Sequence, residues 1–405
     1  MAIKLALSIQ EENTMATAYI VAAKRTAGGR KNGALAEWHP GDLGAQVLNA
    51  IVAETGVDPK AIEDVIMGCV SQAGEQAGQI GRTAVLASNL PNSVPAVTID
   101  RQCGSSQQSI QFAAQAIMSG TQDLVIAAGV ESMSRCPMGI NARAGKVFDI
   151  PTDPTPQSVK EKFGIKHFNQ FTGAEMIAKK YGFTKEQLDA FSVESHRRAA
   201  AATKAGAFAK ELVVIKGRNG EGAEVMHDKD EGIRYDASME AMASLKILME
   251  DGVMSAANAS QICDGSSAVM IASEAALKTH NLTPLARIHN VTVTAGDPVI
   301  MLEEPLFATD RALQRAGMKI GDIDLYEVNE AFAPVPIAWL QHTGGDPSKL
   351  NVNGGAISLG HPLGASGTKL MATLVHGLRA RGKKWGLQTM CEGGGVANVT
   401  IIEAL

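Results

Sequence analysis

Ile62-Glu63-Asp64-Val65-Ile66-Met67 and Asp322-Ile323-Asp324-Leu325-Tyr326-Glu327 decide how this chain folds. Each is a short acidic lead into an apolar run, and the two lie 260 residues apart. The segments after them are alike. Val97–Asp100 leads through Arg101-Gln102-Cys103-Gly104 to a helix running toward Met118, and Leu350–Asn353 leads through Gly354–Leu363 to a helix running toward Leu378. A further buried strand comes after each helix, Asp123–Ala128 in one half and Trp385–Met390 in the other. Strands alternating with helices predict parallel sheets with helices on their faces. Two such units point to an α/β duplication whose halves pack together, although spacing alone leaves coincidence open.

Between the halves, residues 135–262 read differently. Pro137, Pro151, Pro154 and Pro156 break the segment early. Helical stretches then run over Ala174–Tyr181 and Lys185–Ala205, followed by a charged strand-and-turn region, Leu212–Arg234. This reads as a long insertion, and loops carried on a rigid scaffold often build binding sites. At the chain start, Ala18–Ala23 is the first strand-like run. The apolar patch Leu5–Ile9 is too short for a signal sequence and is followed by Glu11 and Glu12. Residues 1–16 are expected to be an N-terminal extension, and the protein to be cytoplasmic.

The 405 residues are 45% hydrophobic and 20% charged, an ordinary globular balance with core enough for two or three domains. A net charge of −5 argues against a nucleic-acid surface, so an anionic ligand would need a local basic pocket. No apolar run approaches the ~18 residues that span a bilayer. The five cysteines, Cys69, Cys103, Cys136, Cys263 and Cys391, are odd in number and widely spaced, which fits reduced thiols. Without a C-x-x-C or H-x-x-x-H pairing no metal site is expected.

Four places could carry chemistry. Cys103 sits between a strand and a helix start, where free backbone N–H groups should lower a thiol pKa and make a nucleophile. It could equally be a small buried hydrophobe. His361 stands in Gly360-His361-Pro362-Leu363-Gly364, in the matching turn of the second half, held by stiff neighbours. A lone histidine can also be purely structural. Cys391 ends a strand and precedes Glu392-Gly393-Gly394-Gly395, whose N–H groups could form an anion nest. Asn329-Glu330-Ala331-Phe332 follows the strand Leu325–Val328, where α/β sites tend to lie, although Asn is also a good helix cap. Gly364-Ala365-Ser366-Gly367-Thr368-Lys369 looks like a phosphate loop but has the wrong spacing. Neither a G-x-S-x-G elbow nor a G-x-G-x-x-G after a strand is present.

Together these motifs resemble the thiolase family. Cys103-Gly104-Ser105, Gly360-His361-Pro362-Leu363-Gly364 and Cys391-Glu392-Gly393-Gly394-Gly395 carry the likeness, joined by Asn329-Glu330-Ala331-Phe332 and by Asn258-Ala259-Ser260 with Asp264-Gly265. They stand in family order and spacing from about residue 17 to the C-terminus. The resemblance implies a thiolase fold: two mixed-sheet α/β core domains forming an αβαβα sandwich, with an inserted loop domain over the CoA. Residues 17–134 with 263–284 would be the N-terminal core, 135–262 the loop domain and 285–405 the C-terminal core. It implies a homodimer or homotetramer, acyl-CoA and CoA as partners, CoA as co-substrate, and no tightly bound cofactor.

By the same resemblance Cys103 is the acyl-accepting nucleophile. His361 takes its proton and faces the substrate thioester oxygen, beside a water held by Asn329. Backbone N–H groups of Cys103 and Gly393 form a second oxyanion hole, and Cys391 is the acid/base at the carbon next to the thioester. Arg234 and Ser260 match loop-domain positions that contact CoA, Phe332 matches a pantetheine-side residue, and Ala331 and Leu245 join the substrate-binding set. The implied activity is thiolytic cleavage of 3-ketoacyl-CoA, with acetoacetyl-CoA synthesis as the alternative.

The sequence also departs from the family's commonest pattern. Gln102, Gln107, Gln108 and Glu392 are unusual, and the glutamines are similar to those of actinobacterial sterol-degradation thiolases. The His-Met pair of acetoacetyl-CoA-specific members is replaced by Asn169-Gln170-Phe171, with Gly173 expected to add room. These features favour a bulkier acyl group. Related condensing enzymes usually carry a second histidine where Asn329 stands, and a silent acyl-CoA-binding protein would not need Cys103, His361 and Cys391 together.

Overall fold

The computed structural model describes residues 16–405, so the expected N-terminal extension lies, but for Ala16, outside the described residues. The first half builds β1 (Tyr19–Thr26), α1 (Pro40–Thr55), β2 (Asp64–Gly68), α2 (Ile80–Ala87), β3 (Ala96–Ile99), α3 (Ser105–Met118) and β4 (Leu124–Ser132). The inserted segment carries α4 (Gln170–Tyr181), α5 (Lys185–Lys204) and a small hairpin of Ile215–Arg218 with Glu224–His227. β5 (Cys263–Ala272) returns to the core. The second half adds β6 (Ala286–Ala295), α6 (Glu304–Ala316), β7 (Leu325–Val328), α7 (Pro334–Thr343), α8 (Ser366–Ala380), β8 (Trp385–Glu392) and β9 (Val396–Ala404).

The two halves repeat one strand order. The first runs β3-β2-β4-β5-β1; the second runs from a bridge at Leu350 through β7, β8 and β9 to β6. They join where β1 and β6 pair antiparallel at Tyr19↔Arg287 and Ile20↔Ala286. Directions also repeat: β2 is parallel to β3 and β4, β7 is parallel to β8, and the last two strands of each half are antiparallel. The sheets are therefore mixed, as the family resemblance implies, and strand–helix alternation by itself accounts only for the parallel pairs. The physical reason is plain at β8 and β9: only Gly393-Gly394-Gly395 separates them, and a parallel crossover needs about a dozen residues or more.

Five layers arise from where the side chains go. Along β4, Leu124, Ile126 and Ala128 pack with Leu43, Val47 and Leu48 of α1 and Val85 of α2, while Val125 and Ala127 face the opposite way. That period of two places an apolar face on each side of the sheet. Val125 and Ala127 meet Ile110 and Ala113 of α3 and Met371, Leu374 and Val375 of α8, so α3 and α8 form the central layer. On the far side Leu306 and Leu313 of α6 and Trp339 of α7 cover Tyr326, Leu387 and Val399. The result is the αβαβα sandwich. The helices α3 and α8 cross where a Cβ on Gly367 would stand 2.0 Å from the backbone nitrogen of Gln107, so a side chain there is excluded. Nearby, the amides of Gln107 and Gln111 donate to Gln388 and Val399 carbonyls at 3.1 and 3.0 Å, tying the first half's central helix to the second half's strands.

Candidate active site

Among the residues singled out above, the structure brings Cys103 within electrostatic reach of Cys391 and sets Asn329 beside His361. Cys103 follows β3 and immediately precedes Gly104, the N-cap of α3. Gln102 beside it is held in the left-handed region at φ 48°. Asn329 follows β7, its backbone N–H donating to the Thr389 carbonyl of β8 at 3.0 Å. Cys391 lies near the end of β8 and is fully buried. His361 occupies the turn before α8, and that turn docks against the start of α3: the Ser106 hydroxyl oxygen accepts from the Thr368 N–H at 3.0 Å. Gly360, at φ 81°, points its missing side chain at Cys263, whose sulfur would be 2.6 Å from a Cβ.

The hydrogen bonds determine the tautomer of His361. The Ser366 hydroxyl donates its one proton to the Pro362 carbonyl at 2.9 Å, so its oxygen accepts from His361 Nδ1, 2.5 Å away. With Nδ1 protonated, Nε2 carries the lone pair, and the amide of Asn329 approaches it at 3.5 Å. Burial, then the nearby Lys369 ammonium, lowers the imidazole to about 3, so it is neutral in the resting site. Lys369 supports the turn directly through the Leu359 carbonyl and the Gly360 carbonyl at 3.3 Å. The lysine of the rejected phosphate-loop pattern is thus a buried brace.

Cys103 differs from its sequence-based expectation. Burial, followed by the Glu392 carboxylate, pushes its thiol up to about 12 rather than below the ordinary value. The helix start is outweighed because, among the described residues, desolvation and the carboxylates of Glu392, Glu131 and Asp100 all act against the thiolate. Cys391 is also raised well above its ordinary value, by burial, then by Cys103 and Glu392, which puts the two thiols within electrostatic reach of each other.

Two residues that organise the site were not singled out by the sequence reading. Ser366 orients His361 and lay in plain view within the discarded Gly364–Lys369 pattern. Glu131, fully buried at the end of β4, accepts from the N–H groups of Val70, Ser71 and Gly364 at 2.9, 3.0 and 2.9 Å and from the Gln76 amide at 2.9 Å. An acid ending the apolar run Leu124–Val130 was the available signal. Glu330 plays a comparable part, accepting from Ser195, Asn351 and the Ile357 N–H at 2.6, 2.9 and 3.1 Å.

The expected binding residues fall into two adjoining cavities that share Ala256. The inner one, about 240 Å³, runs past Ser260, Ala331 and Phe332 to His361. The outer one, about 270 Å³, is lined by Arg234, Leu245 and Met242. Among the described residues the Arg234 guanidinium makes no ion pair, although acidic neighbours stand beside it in the sequence. Phe171 reaches the inner cavity and packs edge-on against Phe332, ring centroids 5.1 Å apart. Gly173 does not widen this space: a Cβ there would stand 2.6 Å from the Ile300 carbonyl oxygen, so the residue serves close packing of α4 on that loop.

Residues 18–275 match the thiolase N-terminal domain and residues 282–404 the thiolase C-terminal domain. The chain belongs to the thiolase family. It is 50% identical to the steroid 3-ketoacyl-CoA thiolase FadA6 of Mycobacterium tuberculosis, over 96% of this chain and 95% of that one. It is 40% identical to an acetyl-CoA acetyltransferase of Chromobacterium violaceum, over 95% and 98%. The crystal structure of human mitochondrial 3-ketoacyl-CoA thiolase superposes with a TM-score of 0.86 at 36% identity, covering 97% of this chain and all of that one. This thiolase is accordingly an acyltransferase on the thiolase fold. Among the described residues no helix is long and apolar enough to cross a membrane.

Proposed function

We propose that this thiolase cleaves 3-ketoacyl-CoA, using CoA, to acetyl-CoA and a shortened acyl-CoA, with the acyl group carried on Cys103. The observation that carries the reading is His361: a neutral imidazole whose Nδ1 is tied to Ser366 and whose Nε2 faces Asn329, at the inner end of an apolar cavity. In the proposed reaction His361 takes the Cys103 proton as the sulfur attacks the 3-keto carbon. The oxyanion formed there is met by the N–H groups of Cys103 and Gly393, each such donor contributing about 3–4 kcal/mol. Carbon–carbon scission expels the acetyl-CoA enolate, whose oxygen faces His361 and Asn329 and whose carbon takes a proton from Cys391. Acid catalysis of that kind contributes about 10²–10⁴-fold. CoA then gives its thiol proton to the Cys391 thiolate, its sulfur attacks the acyl-cysteine, and the Cys103 sulfur released takes back its proton from His361.

Arg234 and Leu245 in the outer cavity, and Ser260, Ala331 and Phe332 in the inner one, are the proposed CoA contacts, with residues 135–262 as the covering loop domain. A homo-oligomer in the cytoplasm is part of the same reading. The relatedness to a steroid thiolase and the missing His-Met pair support an acyl group larger than acetoacetyl. Phe171 against Phe332 supports the second reading, a short-chain acetyl-CoA acetyltransferase, by narrowing the inner cavity. The deciding experiment is incubation with 3-ketoacyl-CoA followed by digestion and mass analysis. An acyl adduct on Cys103, discharged by CoA, is expected; an adduct on Cys391 or Cys136 with Cys103 free overturns the assignment.

A further inference from the structure

Glu392 takes no part in that scheme, yet it directly follows Cys391 and is fully buried. It lies at the end of β8, paired across the hairpin with Val396, and neither carboxyl oxygen has a hydrogen-bond partner among the described residues. Its side chain reaches onto the nucleophile loop. A Cβ on Gly104 would stand 1.9 Å from its Oε1 and 2.6 Å from its Cδ, so Gly104 presents a bare backbone on which the carboxyl group sits. The nucleophile loop answers in kind. Gln102, in its left-handed backbone conformation, lies over Gly393, where a Cβ would stand 2.9 Å from the amide oxygen and 3.1 Å from Cγ. The Gln102 amide is itself held by both oxygens of Asp100 at 3.3 Å. The two cysteine loops therefore interlock, a long side chain over a glycine in each direction.

We propose that Glu392 is a positioning residue for the two-cysteine site: seated on Gly104, its carboxyl group holds the Cys103 and Cys391 loops in register, and when ionised it opposes the Cys103 thiolate. The inference builds on Cys103 as the acylated thiol. The groups facing Glu392 are Cys103 and Gly104 from the nucleophile loop, Asp100 and Arg101 ahead of it, Cys391 on its own strand, and the Asn398 N–H of β9, which approaches without meeting hydrogen-bond geometry. Burial drives the carboxyl well above the ordinary carboxylate range; Arg101 lowers it and Asp100 raises it. An ionised Glu392 and a Cys103 thiolate are thus competing anions in one enclosed space.

Alkylation of Cys103 by iodoacetamide, followed by peptide mass across pH 7–10, tests this without requiring turnover. Failure here is therefore distinct from finding the acyl adduct on another residue. In Glu392→Gln the amide keeps the shape but cannot ionise, so the alkylation curve should move to lower pH by at least about half a unit, roughly threefold in rate at fixed pH. A purely structural role would leave the curve where it is, and an unshifted curve overturns the proposal. The seating has its own test. Gly104→Ala should slow Cys103 alkylation by about tenfold or more, the scale of an overpacked site, and Glu392→Ala in the same chain should bring it back to the level of Glu392→Ala alone. Normal reactivity in Gly104→Ala, or damage that persists in the double variant as slow alkylation or as failure to fold, overturns it.

Discussion

Ser366 shows how much of this site depends on a single hydroxyl. Its O–H donates to the Pro362 carbonyl, its oxygen accepts from the Nδ1–H of His361, and the lone pair on Nε2 is left toward Asn329. Ser366→Ala removes the partner that selects this tautomer and fixes the ring. We expect kcat for thiolysis to fall by about 10²-fold, the cost of a misplaced reacting group, while KM for CoA stays near its wild-type value because the outer cavity is untouched. Steady-state kinetics with a fixed 3-ketoacyl-CoA checks this, and an equal fall in Ser366→Ala and Ser366→Thr would assign the loss to packing rather than to the hydroxyl. His361 and Cys103 were readable from their turns, but their protonation was not. The helix start suggested a lowered thiol; burial and Glu392 reversed the sign. Neither burial nor a carboxylate from residue 392 is visible in the run around residue 103.

At the scale of elements, α4 walls part of the inner cavity, the proposed seat of the acyl group, through Gln170 and Phe171. Asn169 caps it, its side-chain oxygen accepting from the N–H groups of Phe171 and Thr172 at 2.8 and 3.3 Å. The first turn is therefore held, and Phe171 is presented to Phe332 in a fixed orientation. Gly173, on another face of the helix, lets α4 approach the Ile300 carbonyl rather than opening the cavity. Phe171→Ala should release room for longer chains. With two of the four added methylenes buried in the space released, each contributing about 0.8 kcal/mol, kcat/KM for an eight-carbon 3-ketoacyl-CoA relative to the four-carbon one should rise by about tenfold. A substrate panel of four, eight and more carbons, with one ring-bearing acyl group, measures it. An unchanged ratio would show that Phe171 is not the wall. The helix itself was legible from its sequence pattern. Which of its residues met the cavity was not, because that depends on the loop at Ile300 and on Phe332, both far along the chain.

For the molecule as a whole, Arg25 is the point at which three parts of the chain meet. It is fully buried on β1, and its guanidinium pairs with Glu211 at 2.5 Å and Asp230 at 2.8 Å, both in the inserted segment. Asp230 also faces Lys369 of α8 at 3.6 Å, and Thr373 of α8 donates to Glu211 at 3.0 Å. Through Lys369 this cluster reaches the turn that carries His361. Arg25→Met would leave two buried carboxylates without their main cation, a change that costs about 3–5 kcal/mol. A lower urea midpoint for unfolding is expected, and Arg25→Lys should recover only part of it because a lysine cannot pair with both acids in the same fork geometry. A midpoint unchanged in Arg25→Met would show that the cluster is not holding the insertion to the core.

The sequence by itself determined the local plan of this protein: the strand–helix units, their repetition across 260 residues, the insertion between them, and the motifs around Cys103, Asn329, His361 and Cys391. Those features are written in short windows, through apolar periodicity, glycine turns and helix starts. Only the tertiary structure decided which strands pair and in what register, the neutral state of the thiols and imidazole, the brace from Lys369, and the grip of Glu131 on Gly364 across 233 positions of sequence. The physical reason is that desolvation and unscreened charge depend on which groups share an enclosed space, and here those groups come from opposite halves of the chain.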